Sequence, residues 1–206
     1  MGAVLEGVRL VNMGLSDYEP TIGAMREFTA RRDAETPDEL WLLEHPPVYT
    51  LGLAADAAHG PRGDTGIPLV QVERGGEITY HGPGQVVLYT LVDLARRGIK
   101  VKQFVVMLEQ SVIDLLGSRA ERRPGAPGIY VGGAKVAALG IRVSRGCAYH
   151  GLALNVDMDL APFSAIDPCG YPGLQVTQTR DLGMQESQDT LGKNLAGILI
   201  GKLEHA

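Results

Sequence analysis

The clearest periodic pattern in this 206-residue chain runs from Val101 to Leu116. Its apolar residues recur every three or four positions, so they lie along one face of a helix. Gly117 follows, and glycine is the residue most often found just past a helix end. The pattern therefore predicts an amphipathic helix with its apolar face at Val101, Phe104, Val105, Leu108, Val112, Leu115 and Leu116.

Two further helices are predicted near the ends of the chain. Ser16 and Asp17 are residue types that cap helix N-termini, and apolar residues follow them at helical spacing up to Arg32. The second helix is predicted from Thr190 to Leu203 by the same periodicity. The apolar positions of the first helix are Ile22, Met25 and Phe28.

Short apolar runs bounded by proline- and glycine-rich turns predict strands. Three strands are expected between Ile129 and Val156, with tight turns at Gly132-Gly133 and at Ser144–Gly146. Four earlier strands are predicted at Glu39–Leu43, Val48–Leu51, Leu69–Val72 and Val86–Leu91.

The mixture of helices and strands, with no repeat or linker, predicts a single α/β (α+β) domain over residues 1–206. A hydrophobic content of 45% is sufficient for a substantial core. No run approaches the roughly 18 apolar residues of a membrane span, and the first residues do not resemble a secretory signal. We therefore expect a cytoplasmic protein with no membrane partner.

The net charge of -5 argues against a general attraction to phosphate backbones, so no nucleic-acid partner is expected. The chain has two cysteines, Cys147 and Cys169. Because the expected compartment is reducing, we do not expect a disulfide between them.

Special residues are densest between Arg74 and Gln85, where four glycines bracket a short β-like run that ends at His81. Glycine lets backbone amides approach a ligand closely. Neither a Walker A sequence nor a dinucleotide-binding G-x-G-x-x-G is present. From composition alone, a glycine-rich turn with a structural histidine is an equally good interpretation.

The segment Arg74–Gln85 closely resembles the signature of the lipoyl(octanoyl) transferase family. Four further stretches match that family in order and spacing, so the resemblance covers the chain from His45 to Thr179. Glu77 departs from the glutamine or aspartate that is more usual there. The other matching stretches are His45–Gly52, Gly133–Gly140, Tyr149–Val156 and Pro168–Gly170.

The resemblance implies a mixed sheet flanked by helices, as in the catalytic domains of biotin protein ligases and lipoate ligases. It implies transfer of an octanoyl group from octanoyl-acyl carrier protein to a lysine of a lipoyl domain, in the synthesis of protein-bound lipoate. The implied acceptors are lipoyl domains of 2-oxoacid dehydrogenase E2 subunits and the glycine cleavage H protein. Neither a cofactor nor a metal is expected.

The resemblance also assigns Cys169 as a nucleophile that forms a thioester and Lys135 as its partner across the pocket. A thiol has an ordinary pKa near 8.5, so a nearby ammonium group favours the thiolate. The same lysine can return a proton to the leaving thiol and then accept one from the incoming amine. Without the motifs, Lys135 is more simply a strand cap and Cys169 a buried small residue. Cys147 is the competing nucleophile, but its place in an apolar alternation favours packing.

The matched motifs further imply a substrate pocket in which His81 and His150 assist or hold the loops. Backbone amides at Leu139, Gly140 and Gly151–Ala153 are candidates to polarise the acyl carbonyl. The implied substrate-binding residues are Arg74, Gly75, Gly76, Glu77, Ile78, Thr79, Tyr80, His81, Ala138, Leu139, Gly140, Gly151, Leu152 and Ala153.

Two alternative functions are consistent with the same residues. An ATP-dependent lipoate or biotin protein ligase shares the implied fold but activates a free acid as an adenylate. A catalytically silent acyl-binding module would make Cys169 incidental. A requirement for ATP and Mg²⁺ identifies the ligase, and loss of turnover but not of binding in Cys169→Ala argues against the silent module.

Overall fold

The computed structural model describes residues 7–55, 60–168 and 173–206. The strands are β1 Arg9–Leu15, β2 Glu39–Glu44, β3 Val48–Leu51, β4 Leu69–Gln71, β5 Ile78–His81, β6 Gln85–Asp93, β7 Ala120–Arg123, β8 Ala126–Val131, β9 Ala134–Ser144 and β10 Cys147–Asn155. The helices are α1 Tyr18–Arg31, α2 Leu94–Arg97, α3 Val101–Leu116 and α4 Gln188–Glu204, and a 3₁₀ helix covers Ala161–Ala165. Among the described helices, none has the length and apolar character needed to cross a membrane.

The strands form two sheets. The larger one has the order β1-β2-β6-β10-β9-β8-β7, in which β1 runs parallel to β2 and each later pair is antiparallel. The smaller one has the order β4-β3-β5 and comes from the chain between β2 and β6. The predicted class, a mixed sheet flanked by helices, is confirmed.

Helices cover both faces of the central strands. Because successive side chains of a strand point to opposite sides, alternate residues are buried in two different cores. In β2, Leu40 and Leu42 pack in the core formed with α3 and α4. Trp41 and Leu43 pack on the other face, in the core formed with α1. Such doubly covered strands read in sequence as continuous apolar runs, which is what made them recognisable.

The predicted helices and strands are present, with bounds that shift by a few residues at most. The central helix has the predicted bounds, and its C-cap is Gly117 with φ +82°. The elements β1, α2 and β7 were not predicted. The sequence of β7, Ala-Glu-Arg-Arg, has no apolar alternation, and this edge strand exists because it pairs with β8.

An open edge on β9 brings distant motifs together. The partner strand β8 pairs with β9 only as far as Ala137, so from Ala138 onward this edge is free of β8. The glycine-rich segment covers it, and the Gly75 amide donates to the Ile141 carbonyl over 3.0 Å. A Cβ at Gly140 would lie 2.7 Å from the Gly75 oxygen, so this approach requires glycine at position 140.

Candidate active site

A cavity of about 410 Å³ lies between the glycine-rich segment, the middle of β9 and β10, and helix α3. This volume is within the roughly 300–1,000 Å³ of small-molecule sites. Val105 and Leu108 of α3 and Val87 of β6 contribute apolar walls. Most of the predicted substrate-binding residues line it, namely Arg74–Thr79, His81, Ala138–Gly140 and Gly151–Ala153, together with His150. That they contact a substrate stays a prediction.

Tyr80 does not line the cavity. Thr79 and His81 do, and the residue between them on β5 points to the opposite face of the strand. Its ring packs 5.5 Å from that of Tyr49 and 5.4 Å from that of Phe163. Tyr80 is therefore part of the core of the smaller sheet.

Most of the predicted backbone donors are committed to the sheet. Over Gly151–Ala153, β10 is hydrogen-bonded to β6 on one side and to β9 on the other. Backbone groups on β9 alternate in direction. Because the Ile141 carbonyl faces the open edge, Leu139 faces it too, whereas Gly140 faces β10. Gly151–Ala153 and Gly140 can contact a ligand as walls, but among the predicted donors only Leu139 presents its amide to the open edge.

Lys135 lies near the start of β9 and is 4% exposed. Its Nζ donates to the Pro127 carbonyl over 2.8 Å and lies 5.6 Å from the centre of the Tyr130 ring. Its backbone pairs with the segment 175–177, because its amide donates to Gln175 and its carbonyl accepts from Thr177. A strand-capping role does not describe this lysine, since its ammonium group is held inside the protein.

A small niche, about 10 Å³ in volume, surrounds Lys135 and includes Asn155 and Pro168. Thr79 and Ala138 line both this niche and the larger cavity, so the two spaces adjoin. The predicted nucleophile Cys169 and its neighbour Gly170 lie outside the described residues. Pro168, the residue directly before it, is the nearest described point of the chain.

Cys147 is a free thiol at the first position of β10 and is 6% exposed. Burial raises the pKa of this thiol above its ordinary value, which disfavours the thiolate. Its Sγ lies 3.8 Å from the Arg145 carbonyl, and it is not among the residues that line the cavity. These features fit a packing role for Cys147.

Buried side-chain amides connect the cavity to the Lys135 region. His81 Nδ1 donates to Gln85 Oε1 over 2.7 Å, since an amide oxygen accepts. Gln85 Nε2 in turn donates to Asn155 Oδ1 over 3.0 Å, and Asn155 Nδ2 donates to the Thr177 carbonyl over 3.0 Å. Thr177 belongs to the segment that pairs with Lys135, so the amides fix that segment against β6 and β10.

A second pair of buried polar groups lies behind the cavity wall. His45 Nδ1 donates to the Ser16 carbonyl over 2.6 Å, which leaves His45 Nε2 to accept from the Tyr89 hydroxyl over 2.7 Å. Tyr18 packs beside this pair, with ring centres 4.9 Å from His45 and 5.9 Å from His81. The contacts anchor α1 to the sheet beneath the cavity.

Burial keeps these side chains neutral. It lowers the pKa of His45 to about 4 and raises the pKa of Tyr18 to about 12. Burial, with a smaller contribution from the Arg74 guanidinium, also lowers the pKa of His81 and of His150 to about 3 each. At neutral pH, these three histidines are therefore neutral imidazoles.

His150 stands apart from the other two histidines. It is 1% exposed, lines the cavity, and has φ +61°, in the region that favours glycine. Among the described residues, neither of its ring nitrogens has a hydrogen-bond partner. Within the residues that the structure describes, no three histidine, cysteine or carboxylate side chains lie close enough together to hold a metal ion.

The lipoyl protein ligase A/B catalytic domain family matches residues 17–193 of this chain. The chain belongs to that family. Among curated relatives, an octanoyltransferase of Dechloromonas aromatica is 58% identical over 195 residues, which cover 93% of this chain and 95% of the relative. An octanoyltransferase of Aromatoleum aromaticum is 60% identical over 190 residues, which cover 91% and 82%. The predicted resemblance to lipoyl(octanoyl) transferases is confirmed.

Solved structures of lipoate and biotin protein ligases have the same fold. A crystal structure of lipoate-protein ligase A bound with ATP has a TM-score of 0.76 at 16% identity, covering 97% of this chain and 86% of that one. The biotin protein ligase from Aquifex aeolicus has a TM-score of 0.54 at 11% identity, covering 97% and 69%. At these identities the likeness establishes the fold alone, and the predicted ligase-like fold is confirmed.

Several polar residues around the cavity were not predicted from the sequence. His45 and Asn155 lie inside two of the matched stretches, so the signal for them was present. Tyr18, at the start of α1, and Tyr89, within an apolar strand, carry no sequence signal of a pocket role.

Proposed function

We propose that this chain is an octanoyltransferase, which moves an octanoyl group from octanoyl-acyl carrier protein to a lysine of a lipoyl domain. One observation carries the proposal: the niche around buried Lys135 adjoins an apolar cavity through Thr79 and Ala138. An acyl chain in the cavity would have its carbonyl end at the lysine. The relatives named octanoyltransferase, at 58% and 60% identity, support the same activity.

The cavity supplies the affinity for the acyl chain. Burial of a methylene group stabilises a complex by about 0.8 kcal/mol, so an eight-carbon chain gains roughly 5 kcal/mol. The walls from Val105, Leu108 and Leu152 are of the kind that provides this burial. Short acyl groups lose most of it, which favours medium-chain donors.

In the first half-reaction, the Cys169 thiolate attacks the carbonyl carbon of the carrier thioester. The new carbon–sulfur bond forms on the enzyme, and the bond to the carrier sulfur breaks. Lys135 gives a proton to the departing carrier thiolate, which leaves as a thiol. The Leu139 amide faces the open edge of β9 and is a candidate donor to the carbonyl oxygen.

In the second half-reaction, the ε-amine of the acceptor lysine attacks the acyl-enzyme carbonyl. Lys135, now neutral, takes the proton that the amine loses, and the Cys169 thiolate departs. An amide replaces a thioester, so the reaction runs downhill. The enzyme returns to its starting state with thiolate and ammonium, and no cofactor enters either step.

The proposed acceptors are lipoyl domains of 2-oxoacid dehydrogenase E2 subunits and the glycine cleavage H protein. The proposed donor carries its acyl group as a thioester. We place the reaction in the cytoplasm.

Intact-mass spectrometry after mixing with octanoyl-acyl carrier protein tests the proposal. We expect one octanoyl group on the enzyme, lost on addition of a lipoyl domain, which gains it. Cys147→Ala should behave like the unchanged enzyme, whereas Cys169→Ala should gain no acyl group. Acylation at Cys147, or none at all, contradicts the proposal. Transfer that occurs only with free octanoate, ATP and Mg²⁺ indicates a ligase instead.

A further inference from the structure

The two ends of the cavity differ in chemistry. Ala138 lines both the cavity and the Lys135 niche, whereas Ile141, three residues further along β9, pairs with His150 on β10. At about 3.4 Å per residue, the distance from Ala138 to Ile141 is about 10 Å. With carbon–carbon bonds of about 1.5 Å, an extended octanoyl group is about 9 Å long. If the proposed function is right, the methyl end of that group lies beside His150.

A histidine is a destabilising residue at a position beside the end of an apolar acyl chain. Its ring is stacked on Tyr149 with centres 5.2 Å apart and meets the edge of Tyr89 at 5.9 Å, so it is held in place. Its carbonyl accepts from Thr90 Oγ1 over 2.9 Å, and these contacts leave both ring nitrogens without a partner among the described residues. A buried polar group without a partner destabilises the folded state.

The backbone of His150 adds a second cost. Its φ of +61° is in the left-handed region, where a residue with a Cβ is strained. Glycine or asparagine would relieve that strain, and an apolar ring would relieve the unpaired nitrogens. The ring forms part of the cavity wall and both of its nitrogens are buried in that wall, so a ligand hydroxyl would bind them after a small rotation of the ring. A side chain destabilised in two ways at a cavity wall is best explained by such a ligand.

The protonation state of His150 narrows the class of that ligand. Burial and the nearby Arg74 guanidinium lower its pKa to about 3, so the imidazole is neutral and offers one N–H donor and one nitrogen acceptor. A hydroxyl group, which both donates and accepts, matches a neutral imidazole. A methyl group matches neither nitrogen.

We propose that this end of the cavity is a polar subsite, in which His150 binds medium-chain acyl groups that carry a hydroxyl at or near the terminal carbon. This inference rests on the proposed function and extends its substrate class from plain octanoyl groups to oxygenated ones. His150 is thus a specificity-determining residue at the far end of the acyl chain from Lys135.

Competition between two donors tests the subsite. Octanoyl- and 8-hydroxyoctanoyl-acyl carrier protein are mixed in equal amounts with enzyme and one lipoyl domain, and the two products are counted by mass spectrometry. An apolar end would disfavour the hydroxylated chain by 100-fold or more, whereas we expect the unchanged enzyme to use both within 10-fold. In His150→Phe, the ratio of hydroxylated to plain product should fall at least 10-fold further.

Two variants keep the test decisive if the phenylalanine variant does not fold. His150→Asn tolerates the positive φ and keeps a donor, so its product ratio should stay within 3-fold of the unchanged enzyme. Tyr149→Phe is the matched control, because Tyr149 stacks on His150 but does not line the cavity, and its ratio should not change.

The outcomes separate the two proposals. Rejection of the hydroxylated donor by 100-fold, with octanoyl transfer intact, overturns the subsite alone. A ratio near parity that His150→Phe does not alter places the hydroxyl elsewhere and also overturns it. Absence of octanoyl transfer by the folded enzyme overturns the proposed function itself.

Discussion

Lys135 is held by surroundings that leave no room for a side chain at Gly128. Its Nζ contacts the Pro127 carbonyl, and its terminal carbon packs where a side chain at Gly128 would stand. Gly128 has φ +135°, so both its space and its backbone require glycine. The ammonium group is thereby fixed beside the niche that Pro168 also lines.

Lys135→Arg should separate charge from proton transfer. The guanidinium keeps a positive charge but does not release its proton near neutral pH. We expect enzyme acylation to persist at a reduced rate and transfer to the lipoyl domain to slow by at least about 100-fold, the usual contribution of a general base. Lys135→Ala should slow both halves.

Single-turnover measurements resolve the two halves, with acyl-enzyme formation followed first and its decay on adding acceptor followed second. Transfer by Lys135→Arg at the unchanged rate means that Lys135 is not the base.

Among structural elements, the segment 175–177 matters because it is paired with the start of β9. Asn155, at the end of β10, bonds both to Gln85 of β6 and to the Thr177 carbonyl. One amide thus couples two strands of the large sheet to the segment that follows the predicted nucleophile. Its removal leaves a buried donor and a buried acceptor without partners.

Asn155→Ala should lower the free energy of unfolding by about 2 kcal/mol, because each unsatisfied buried group costs about 1–3 kcal/mol. Amide exchange should accelerate at Lys135 and Thr177, whose N–H groups form the pairing. Urea denaturation and hydrogen exchange measure the two effects. Asn12→Ala, which removes an exposed bond to Gly14, is the control and should change stability by less than about 0.5 kcal/mol. Unchanged exchange at both amides would show that Asn155 does not secure the segment.

Helices and strands with strong local patterns were predictable from the sequence. The order in which the strands pair was not. The bounds of α3 follow from its periodicity and Gly117, both local properties. The split into two sheets depends on which strands pair, and an apolar run does not encode its partner. The same limit affected the site: the motifs identified the segments, but the direction of Tyr80 and the pairing of Gly151–Ala153 required the sheet.

At the scale of the whole molecule, the three histidines that are buried within the described residues make stability depend on pH. The folded pKa values of His45, His81 and His150, about 4, 3 and 3, are below the ordinary value of 6.5. The unfolded chain therefore binds protons that the folded one does not. The contribution of these histidines to the free energy of unfolding is fully present above about pH 6.5. It is lost as the pH falls from there toward the pKa values of the folded state.

Between pH 7.5 and 5.5, the free energy of unfolding should fall by about 4 kcal/mol, since each histidine contributes about 1.4 kcal/mol one unit below 6.5. Urea denaturation at several pH values measures the slope. His45→Gln should reduce the slope by about a third, and His205→Ala, at an exposed histidine, should leave it unchanged. A stability independent of pH over this range would contradict the neutral state of these residues.

The pairing of β6 with β10 also governs how the molecule is made. The chain from residue 94 to residue 146 must be synthesised before these neighbours can meet, and contacts so distant in sequence form slowly. Until Asn155 has left the ribosome, β2 and β6 form at most a hairpin-like fragment whose apolar faces and one edge are exposed. Nascent chains in that condition are prone to aggregate and are typical clients of chaperones. Slowed translation before residue 147 would therefore lower the yield of this protein more than slowed translation after residue 155.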